Sequence, residues 1–412
     1  MRIVGVETLR LATLPNLVFV VLHTDSGVTG LGETYYGAAA VEVVVHETLA
    51  PMLLASPMPR SAAEIGAAID AGAFYVGTTG SGVEVRARSA IDIALWDLAS
   101  RARGVSLATL AGDPQRGDLP VYNTCAGPHY MRDPTGQRSL NWGLPSDGQR
   151  HRYDDLWSFL NQADRLADDL LADGISAMKI WPFDSPAEAT RGESISASAM
   201  AAALAPVRRI REAVGDRMQI LIEMHGLWQP RPAAQILGEL EHYDVMWAED
   251  PIPPHRIEEL AALRAGCRIP IAAGETVGTT DGAAALVRGH AVDVLITDLG
   301  WCGGVSGALA QASLAATAGI GFALHDCSGP VVLATSVHLA TCLPHMAIQE
   351  TTRSYYADWY PALVTGLPRL ENGRIFARQD LGHGLTLRPD LRARPDLSHR
   401  LTGHRGNARI VR

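Results

Sequence analysis

The sequence of 412 residues lacks the features that mark several common classes of protein. It has no Lys/Arg-rich run of five or more, and 35 Lys and Arg stand against 44 Asp and Glu. The resulting net charge of −9 disfavours attraction to a phosphate backbone, so nucleic acid is not expected as a partner. The five cysteines are scattered and form no C-x-x-C pair, which argues against a disulfide framework and a cysteine zinc site.

Long apolar segments are also missing from the sequence. The N-terminal residues Met1 to Glu7 contain no apolar core followed by a small-residue cleavage site, and no stretch of 18 residues is uninterrupted apolar. We therefore expect a cytoplasmic protein with no membrane partner. The 47% of hydrophobic residues and 19% of charged residues are typical of a globular protein with a large core.

The N-terminal part of the chain shows the pattern of strands followed by helices. Two apolar, β-branched runs before residue 25 predict a hairpin with its turn at Leu14 to Asn16. Helical patterns follow near 38–54 and 83–103. We expect residues 1–120 to form one domain of strands and helices.

From residue 121 short apolar strands alternate with helical segments of about 10 to 15 residues, the pattern of β-α-β units and a parallel sheet. The pattern predicts an α/β fold, a (β/α)8 barrel over 121–355, with catalytic groups at the carboxyl ends of the strands. A doubly wound sheet is the alternative. The polar stretch 129–153 is either a substrate-covering loop or a subunit contact. The loop-rich segment 356–412 is expected to return to the N-terminal domain. The eight predicted strands lie near 121–126, 176–181, 219–223, 245–249, 270–274, 293–297, 321–325 and 346–349.

Three acidic residues follow apolar runs at the ends of successive predicted strands. They are Glu223, Glu249 and Glu275, and equal intervals of 26 residues, one β-α unit each, separate them. Neighbouring strands would bring the three carboxylates to one side of the barrel mouth. Such like charges need a cation, and all-oxygen ligation favours Mg²⁺, with Mn²⁺ as an alternative ion. Any one of them alone would be interpreted as a solvated strand end or an ion-pair partner.

The next two strands end in Asp298 and His325, which are 27 residues apart and are expected at one level of the barrel. A hydrogen bond to the carboxylate would orient His325 and raise its basicity, as a general base requires. Glu350 ends the eighth predicted strand, where it would bind a substrate hydroxyl or the enolate oxygen. A surface position is the alternative for Glu350.

Two further residues are predicted to face the metal. Lys179 ends the second strand, where its charge would neutralise a substrate carboxylate or the developing enolate, unless it only extends to solvent. His225 follows Glu223 by two positions, and side chains two apart on a strand face the same way. We therefore expect His225 in the mouth of the barrel as a general acid, or otherwise as a residue of the pocket wall.

These residues resemble the enolase superfamily and, within it, the mandelate racemase subgroup, whose members remove a proton alpha to a carboxylate and stabilise the enediolate with Mg²⁺. The resemblance spans the whole chain. It implies a modified barrel and an α+β capping domain formed by the N-terminal region and the C-terminal tail. It also implies one Mg²⁺ per subunit and a homo-oligomer, commonly a dimer or octamer. The matching residues are Glu223, Glu249, Glu275, Asp298, His325 and Glu350, supported by Ala94-Leu95-Trp96-Asp97, Gly32-Glu33, Asp298-Leu299-Gly300 and Gly303-Gly304.

Two positions depart from the pattern of the subgroup. Its racemases carry a Lys-x-Lys pair on the second strand, whereas the second position here is Trp181, which disfavours racemisation by two bases. The first metal ligand is usually aspartate, whereas this chain has Glu223, whose extra methylene should shift the ion slightly. The position of His225 resembles sugar-acid dehydratases such as galactonate dehydratase, in which this histidine helps hydroxide leave.

The combined prediction is a Mg²⁺-dependent acid-sugar dehydratase, a hydro-lyase. His325 would take the proton alpha to the carboxylate and His225 would protonate the leaving β-hydroxyl, giving a 2-keto-3-deoxy acid. The partner is then a small-molecule carboxylate. Predicted contacts with it come from Lys179, Trp181, His225, Trp301 and Glu350.

Two other functions are compatible with the sequence, and a third, a metal-dependent hydrolase, is disfavoured. An epimerase, racemase or cycloisomerase would use the same enediolate without releasing water. A metal-dependent hydrolase usually has a His-x-His on the first strand, and none occurs in Val121 to Cys125. A non-catalytic binding protein would accommodate the departures at Glu223 and Trp181.

Substrate specificity is expected to lie in surface loops and in the wall of the barrel mouth. The candidate loops are Leu14 to Val18, Ser56 to Arg60 and the 129–153 insertion. Wall residues are expected to include Trp228 beside the two tryptophans named above, with packing in the core or at a subunit interface as an equal alternative for each of the three.

Overall fold

The N-terminal and C-terminal ends of the chain share one antiparallel sheet. The structure, a computed structural model, describes residues 1–57, 64, 80–134, 136–145 and 151–403, and the backbone of 409–411. The order of strands in the sheet is β17-β16-β1-β2-β3. Their bounds are β1 (Ile3–Leu11), β2 (Leu14–Thr24), β3 (Thr29–Tyr35), β16 (Leu397–Gly403) and β17 (Arg409–Val411).

The predicted hairpin is formed by β1 and β2, but the prediction of its turn is wrong. Leu14 to Asn16 lie in β2, and the turn consists of Ala12 and Thr13. The reason is that Leu14 pairs with Leu11 and buries its side chain, which leaves the two-residue loop that antiparallel hairpins favour.

The long helix Val83–Arg103 packs across this sheet and has the bounds that the sequence predicts. Its predicted apolar face is buried, with Ile91, Leu95 and Leu98 fully enclosed. The helix approaches β3 closely because glycine faces it there: a Cβ atom on Gly32 would lie 1.9 Å from the helix backbone.

A second apolar stretch, Ala38–Ala55, lies against β1, β2 and the long helix. It consists of the helices Ala38–Val44 and Ala50–Ala55 joined by the π-helical turn Val45–Leu49. By length and composition it is the one described helix that could cross a membrane, although the core helix of a globular protein passes the same test. The cytoplasmic location stays a prediction.

Eight parallel strands form the predicted barrel, and the comparisons below confirm this fold class. Each strand from β4 to β10 pairs with the next, and β11 pairs with β4 and contacts β10, which closes the ring. The strands are β4 (Asp118–Thr124), β5 (Ala177–Ile180), β6 (Gln219–Glu223), β7 (Trp247–Glu249), β8 (Ile271–Ala273), β9 (Val294–Thr297), β10 (Gly321–Leu324) and β11 (Gln349–Thr351).

One apolar side chain from each strand or its approach fills the interior of the barrel. This layer consists of Tyr122, Ala177, Leu221, Trp247, Ala272, Ile296, Ala323 and Ile348. Because strand side chains alternate, the next inward positions lie two residues further on, at the carboxyl ends of the strands. Those positions hold Thr124, Lys179, Glu223, Glu249, Gly274, Asp298, His325 and Glu350. The packed layer is therefore the floor beneath most of the predicted site residues.

Helices cover the outside of the barrel, and the C-terminal segment adds short strands. β14 pairs with the barrel strand β4, while β16 pairs with β1. The short strands are β12 (Val364–Thr365), β13 (Arg369–Glu371), β14 (Arg374–Phe376) and β15 (Thr386–Leu387). The remaining described helices are Leu107–Ala111, Asp155–Asn161, Ala163–Ala172, Asp184–Thr190, Ala197–Val214, Pro230–Leu240, Ile257–Gly266, Thr280–Arg288, Gly304–Ala318, Pro330–Cys342, Arg353–Ala357 and Tyr360–Leu363. The proposed domain boundaries at 120 and 355 stay a prediction.

Candidate active site

A cavity of about 720 Å³ lies at the carboxyl ends of the barrel strands. Tyr36 and Arg86 line it from the N-terminal part of the chain, and Tyr130, Met131 and Gln137 line it from the 129–153 insertion. This placement favours the substrate-covering interpretation of the insertion. The predicted site residues that line the cavity are Lys179, Trp181, Glu223, His225, Glu275, Trp301 and His325.

The three predicted metal ligands come together in the floor of the cavity. Glu223, Glu249 and Glu275 are buried, and one carboxylate oxygen of each lies within 4.8 Å of the others. Glu223 and Glu249 end their strands, as predicted, but Glu275 lies two residues beyond β8. Gly274, with φ of +125°, provides the bend that brings Glu275 to the same point.

The charges of this cluster would be offset by a bound cation. Burial and the neighbouring Glu223 carboxylate raise the pKa of Glu249 to about 7. Glu223 is held in place because its Oε1 atom accepts the backbone N–H groups of Met224 and His225, at 3.0 and 2.7 Å. Three buried, convergent carboxylates suit a hard divalent ion such as Mg²⁺.

Lys179 is the only lysine in the sequence, and its Nζ atom lies among acidic groups. It is 3.0 Å from Glu249, 3.5 Å from Glu223 and 3.2 Å from Glu350. Burial alone would lower the pKa of Lys179, but these carboxylates hold it well above its ordinary value. Lys179 is therefore a fixed positive charge beside the metal cluster.

Glu350 lies behind the wall of the cavity, and its two oxygens already have partners. Oε2 accepts the hydroxyl of Tyr122 at 3.1 Å and the backbone N–H of Asp326 at 2.9 Å, while Oε1 contacts Lys179 and the hydroxyl of Thr124. Burial opposes ionisation, but Lys179 and these donors hold the pKa of Glu350 at about 2. A direct contact with substrate, as predicted, would require Glu350 to leave these partners.

Asp298 and His325 lie side by side at one level, as their spacing predicts. Nδ1 of His325 donates to Oδ2 of Asp298 at 2.6 Å, and Oδ1 of Asp298 accepts the Gly300 N–H at 2.6 Å. The other ring nitrogen of His325, Nε2, lies 3.3 Å from Oε2 of Glu275, and the His325 side chain lines the cavity. Burial opposes protonation, but Glu275, Glu350 and Asp298 hold the pKa of His325 well above its ordinary value.

His225 faces the same cavity from the other side of the barrel, since β6 and β10 are four strands apart in a ring of eight. It lies beyond the end of β6 with φ of +49°, so a left-handed turn and not strand alternation directs its side chain. Its Nδ1 atom is 2.7 Å from Oδ2 of Asp184. Burial opposes protonation, but Asp184 and Glu223 raise the pKa of His225 to about 10.

Two of the three wall tryptophans are placed as predicted. Trp181 and Trp301 line the cavity, and the ring of Trp301 packs 5.1 Å from that of His325. Trp228 instead follows the alternative of core packing, because it is fully buried, does not line the cavity and lies next to Gly192. The indole Nε1 of Trp181 is buried and has no hydrogen-bond partner among the described residues.

The loops that were predicted to determine specificity form only part of the cavity wall. Leu14 to Val18 is part of β2, but Asn16 supports the insertion by donating to the carbonyl oxygens of Met131 and Asp133, at 3.0 and 2.9 Å. Within Ser56 to Arg60, residues 58–60 lie outside the described residues.

Sequence reasoning missed Asp184, Tyr36 and Arg86. Asp184 follows β5 by four residues, after Trp-Pro-Phe. Its position just beyond the carboxyl end of a barrel strand could have identified it as a candidate site residue. Tyr36 and Arg86 belong to the N-terminal part of the chain, and no sequence pattern places them over the barrel.

The chain matches two family models, "Mandelate racemase / muconate lactonizing enzyme, N-terminal domain" over residues 6–112 and "Enolase C-terminal domain-like" over 162–391. It belongs to the mandelate racemase / muconate lactonizing enzyme family of the enolase superfamily. This membership confirms the resemblance inferred from the site residues.

Known members of this family resemble the chain along most of its length. A mandelate racemase subgroup enolase from Agrobacterium tumefaciens is 38% identical, with a TM-score of 0.86 over 99% of this chain and 100% of its own. The D-xylonate dehydratase of Haloferax volcanii is 27% identical over 90% of this chain and 83% of its own. The D-galactonate dehydratase of Ralstonia nicotianae is 28% identical over 85% of this chain and 81% of its own. These relatives confirm the predicted enzyme class, an enolase-superfamily lyase.

Proposed function

We propose that this chain is a Mg²⁺-dependent dehydratase of acid sugars. The observation that carries the proposal is a pair of histidines, each held by its own carboxylate, that face one cavity from opposite sides. Elimination of water needs a base for the carbon-bound proton and a separate acid for the leaving hydroxyl. The names of the dehydratase relatives support the same reaction.

Glu223, Glu249 and Glu275 would hold the metal. When bound, Mg²⁺ would offset the negative charge that develops on the substrate carboxylate as the alpha proton leaves. Lys179 adds a second positive charge beside this point, held there by contacts with Glu249 and Glu350.

His325 is the proposed base. Because Asp298 accepts the Nδ1 proton, neutral His325 would carry its lone pair on Nε2, the nitrogen on the side of Glu275. A metal held by Glu275 would offset the carboxylate charge that raises the pKa of His325, and would so favour the neutral form that acts as the base. Asp298 would then stabilise the imidazolium that forms when Nε2 takes the alpha proton.

His225 is the proposed acid on the other side of the substrate. Its contact with Asp184 keeps it protonated at neutral pH, ready to protonate the β-hydroxyl as the carbon–oxygen bond breaks. Water leaves, and the remaining enol rearranges to a 2-keto-3-deoxy acid. The unpartnered Nε1 of Trp181 would donate to a substrate oxygen in this wall.

The test is incubation of the enzyme in D₂O with Mg²⁺ and a panel of aldonic and aldaric acids, following alpha-deuterium uptake and product mass together. We expect loss of one water from at least one acid. In the His325→Asn variant both exchange and turnover should fall by about 10²-fold or more, because the base is gone. The His225→Asn variant should lose turnover more than exchange.

The outcomes separate the proposed function from its rivals. Deuterium uptake without loss of water would replace the dehydratase by an epimerase or cycloisomerase. Normal turnover by His325→Asn would overturn the assignment of the base. If the wild-type enzyme showed neither deuterium uptake nor loss of water with any acid of the panel, the proposed substrate class would be contradicted.

A further inference from the structure

Arg86 is a cation of the cavity wall that the proposed reaction does not use. It lies in the first turn of the helix Val83–Arg103, is half-buried, and lines the cavity from the N-terminal part of the chain. Lys179 and Arg86 are the only Lys or Arg side chains among the described residues that line this cavity.

Two aromatic rings fix the position of the Arg86 guanidinium. Its Cζ atom lies 5.8 Å from the ring centre of Tyr36 and 5.4 Å from that of Trp301. Trp301 is itself held by a hydrogen bond from Nε1 to the carbonyl oxygen of Tyr35, at 3.1 Å. Aromatic rings at these distances attract the guanidinium charge without using its N–H donors.

The residues that the structure describes do not satisfy these donors. Among the described residues no carboxylate lies within ion-pair distance of Arg86, and its Nε atom is buried without a hydrogen-bond partner. The nearby Asp298 carboxylate is occupied by His325 and the Gly300 N–H. An unpaired, partly desolvated guanidinium is costly, which favours an anionic group of the ligand as its partner.

The position of Arg86 separates this anion from the reacting end of the substrate. The carboxylate next to the alpha carbon belongs at Lys179 and the three glutamates, in the floor. The ring of Trp301 contacts both the His325 ring, at 5.1 Å, and the Arg86 guanidinium, at 5.4 Å. A ligand that met both cations would carry one acidic group at the metal ligands and a second one at Arg86.

We propose that Arg86 binds a second carboxylate at the far end of the substrate, and that the enzyme prefers dicarboxylic acid sugars over monocarboxylic ones. The reaction on such a substrate rests on the proposed function. Binding of the second carboxylate by Arg86 does not depend on it. The planar fork of Arg86 matches a carboxylate with two parallel hydrogen bonds.

The experiment compares a six-carbon aldaric acid with the aldonic acid of the same configuration, which lacks only the second carboxylate. Binding is measured by calorimetry with Mg²⁺ present, and kcat/KM is measured where turnover occurs. The variants are Arg86→Gln and Arg86→Lys, with Arg88→Gln as the matched control. Arg88 is a half-buried arginine on the same helix that does not line the cavity.

We expect the wild type to favour the aldaric acid, and Arg86→Gln to lose about 10²-fold in affinity and kcat/KM for that acid, with about threefold change or less for the aldonic acid. Arg86→Lys should be intermediate, and Arg88→Gln should retain the preference. Equal losses for both acids, or a wild type that favours the aldonic acid, would refute the proposal. Failure of the dehydratase proposal alone would instead give selective binding of the aldaric acid without release of water.

Discussion

At the scale of single residues, the site contains charged side chains that are costly to bury. Contacts with groups of opposite charge or with hydrogen-bond donors offset this cost. Glu249 and Glu350 are both buried, yet the pKa of Glu249 is raised to about 7 while that of Glu350 is lowered to about 2. Glu350 accepts from four donors, whereas Glu249 accepts from Lys179 and Trp247 and lies beside Glu223, another predicted metal ligand. Repulsion between carboxylates therefore remains where a cation would bind.

Mg²⁺ should raise the melting temperature of the wild-type protein by a few degrees at about 100 times its dissociation constant, because an ion that binds only the folded state stabilises it by about 2.7 kcal/mol. The Glu275→Gln variant should lose most of this shift, since one of the three ligands is neutral. Differential scanning fluorimetry with and without the ion measures it. The exposed Glu239→Gln serves as the control and should keep the full shift. An unchanged shift in Glu275→Gln would exclude Glu275 as a ligand.

At the scale of elements, the N-terminal part and the barrel are joined by a carboxylate at a helix end. Glu33, on β3, is fully buried and accepts the backbone N–H groups of Val331 and Val332 at distances down to 2.9 Å. These groups belong to the first turn of Pro330–Cys342, whose N–H donors have no partner within the helix. The motif Gly32-Glu33, which matches the family, therefore also has a structural role: Glu33 binds the N-terminus of a barrel helix.

Glu33→Ala should lower the free energy of unfolding by about 1–3 kcal/mol, because it leaves buried N–H donors without an acceptor. Glu33→Gln keeps one acceptor oxygen and should lose less. Urea unfolding followed by tryptophan fluorescence measures both variants against the wild type. Equal stability of Glu33→Ala and the wild type would show that water replaces the carboxylate at this helix end.

At the scale of the whole molecule, the two ends of the chain meet through an ionic cluster. Glu7 on β1 lies 2.8 Å from Nε2 of His23 and 2.9 Å from a guanidinium nitrogen of Arg392. Burial raises the pKa of Glu7, but these partners outweigh it and hold the pKa at about 2, below the ordinary 4.5. The cluster links the C-terminal segment to the antiparallel sheet of the N-terminal part. The dimer or octamer stays a prediction, and light scattering would measure the oligomeric state.

Glu7→Gln should lower the free energy of unfolding at pH 7 by about 1–2 kcal/mol. Because the folded-state pKa is depressed, this contribution is fully present above pH 4.5 and is lost as the pH falls from 4.5 to about 2. Unfolding curves of both proteins between pH 2 and 7 should therefore converge at the acid end. A difference that persists unchanged at pH 2, or its appearance in Glu239→Gln, would contradict the role of the Glu7 charge.

The sequence by itself determined the barrel strands and the residues at their carboxyl ends, because alternation and βα spacing are local, periodic properties. Glu223, Glu249, Asp298 and His325 all lie where that period places them. The alternation rule failed for His225, whose placement depends on a left-handed turn.

Only the tertiary structure decided how distant segments meet. It placed Asp184 behind His225, enclosed Glu350 among donors from three segments, and brought Arg86 over the cavity from the N-terminal part. These contacts join residues far apart in the chain, and the sequence contains no periodic signal for them. Their positions follow from packing of the long helix and the insertion against the barrel, which is a property of the whole fold.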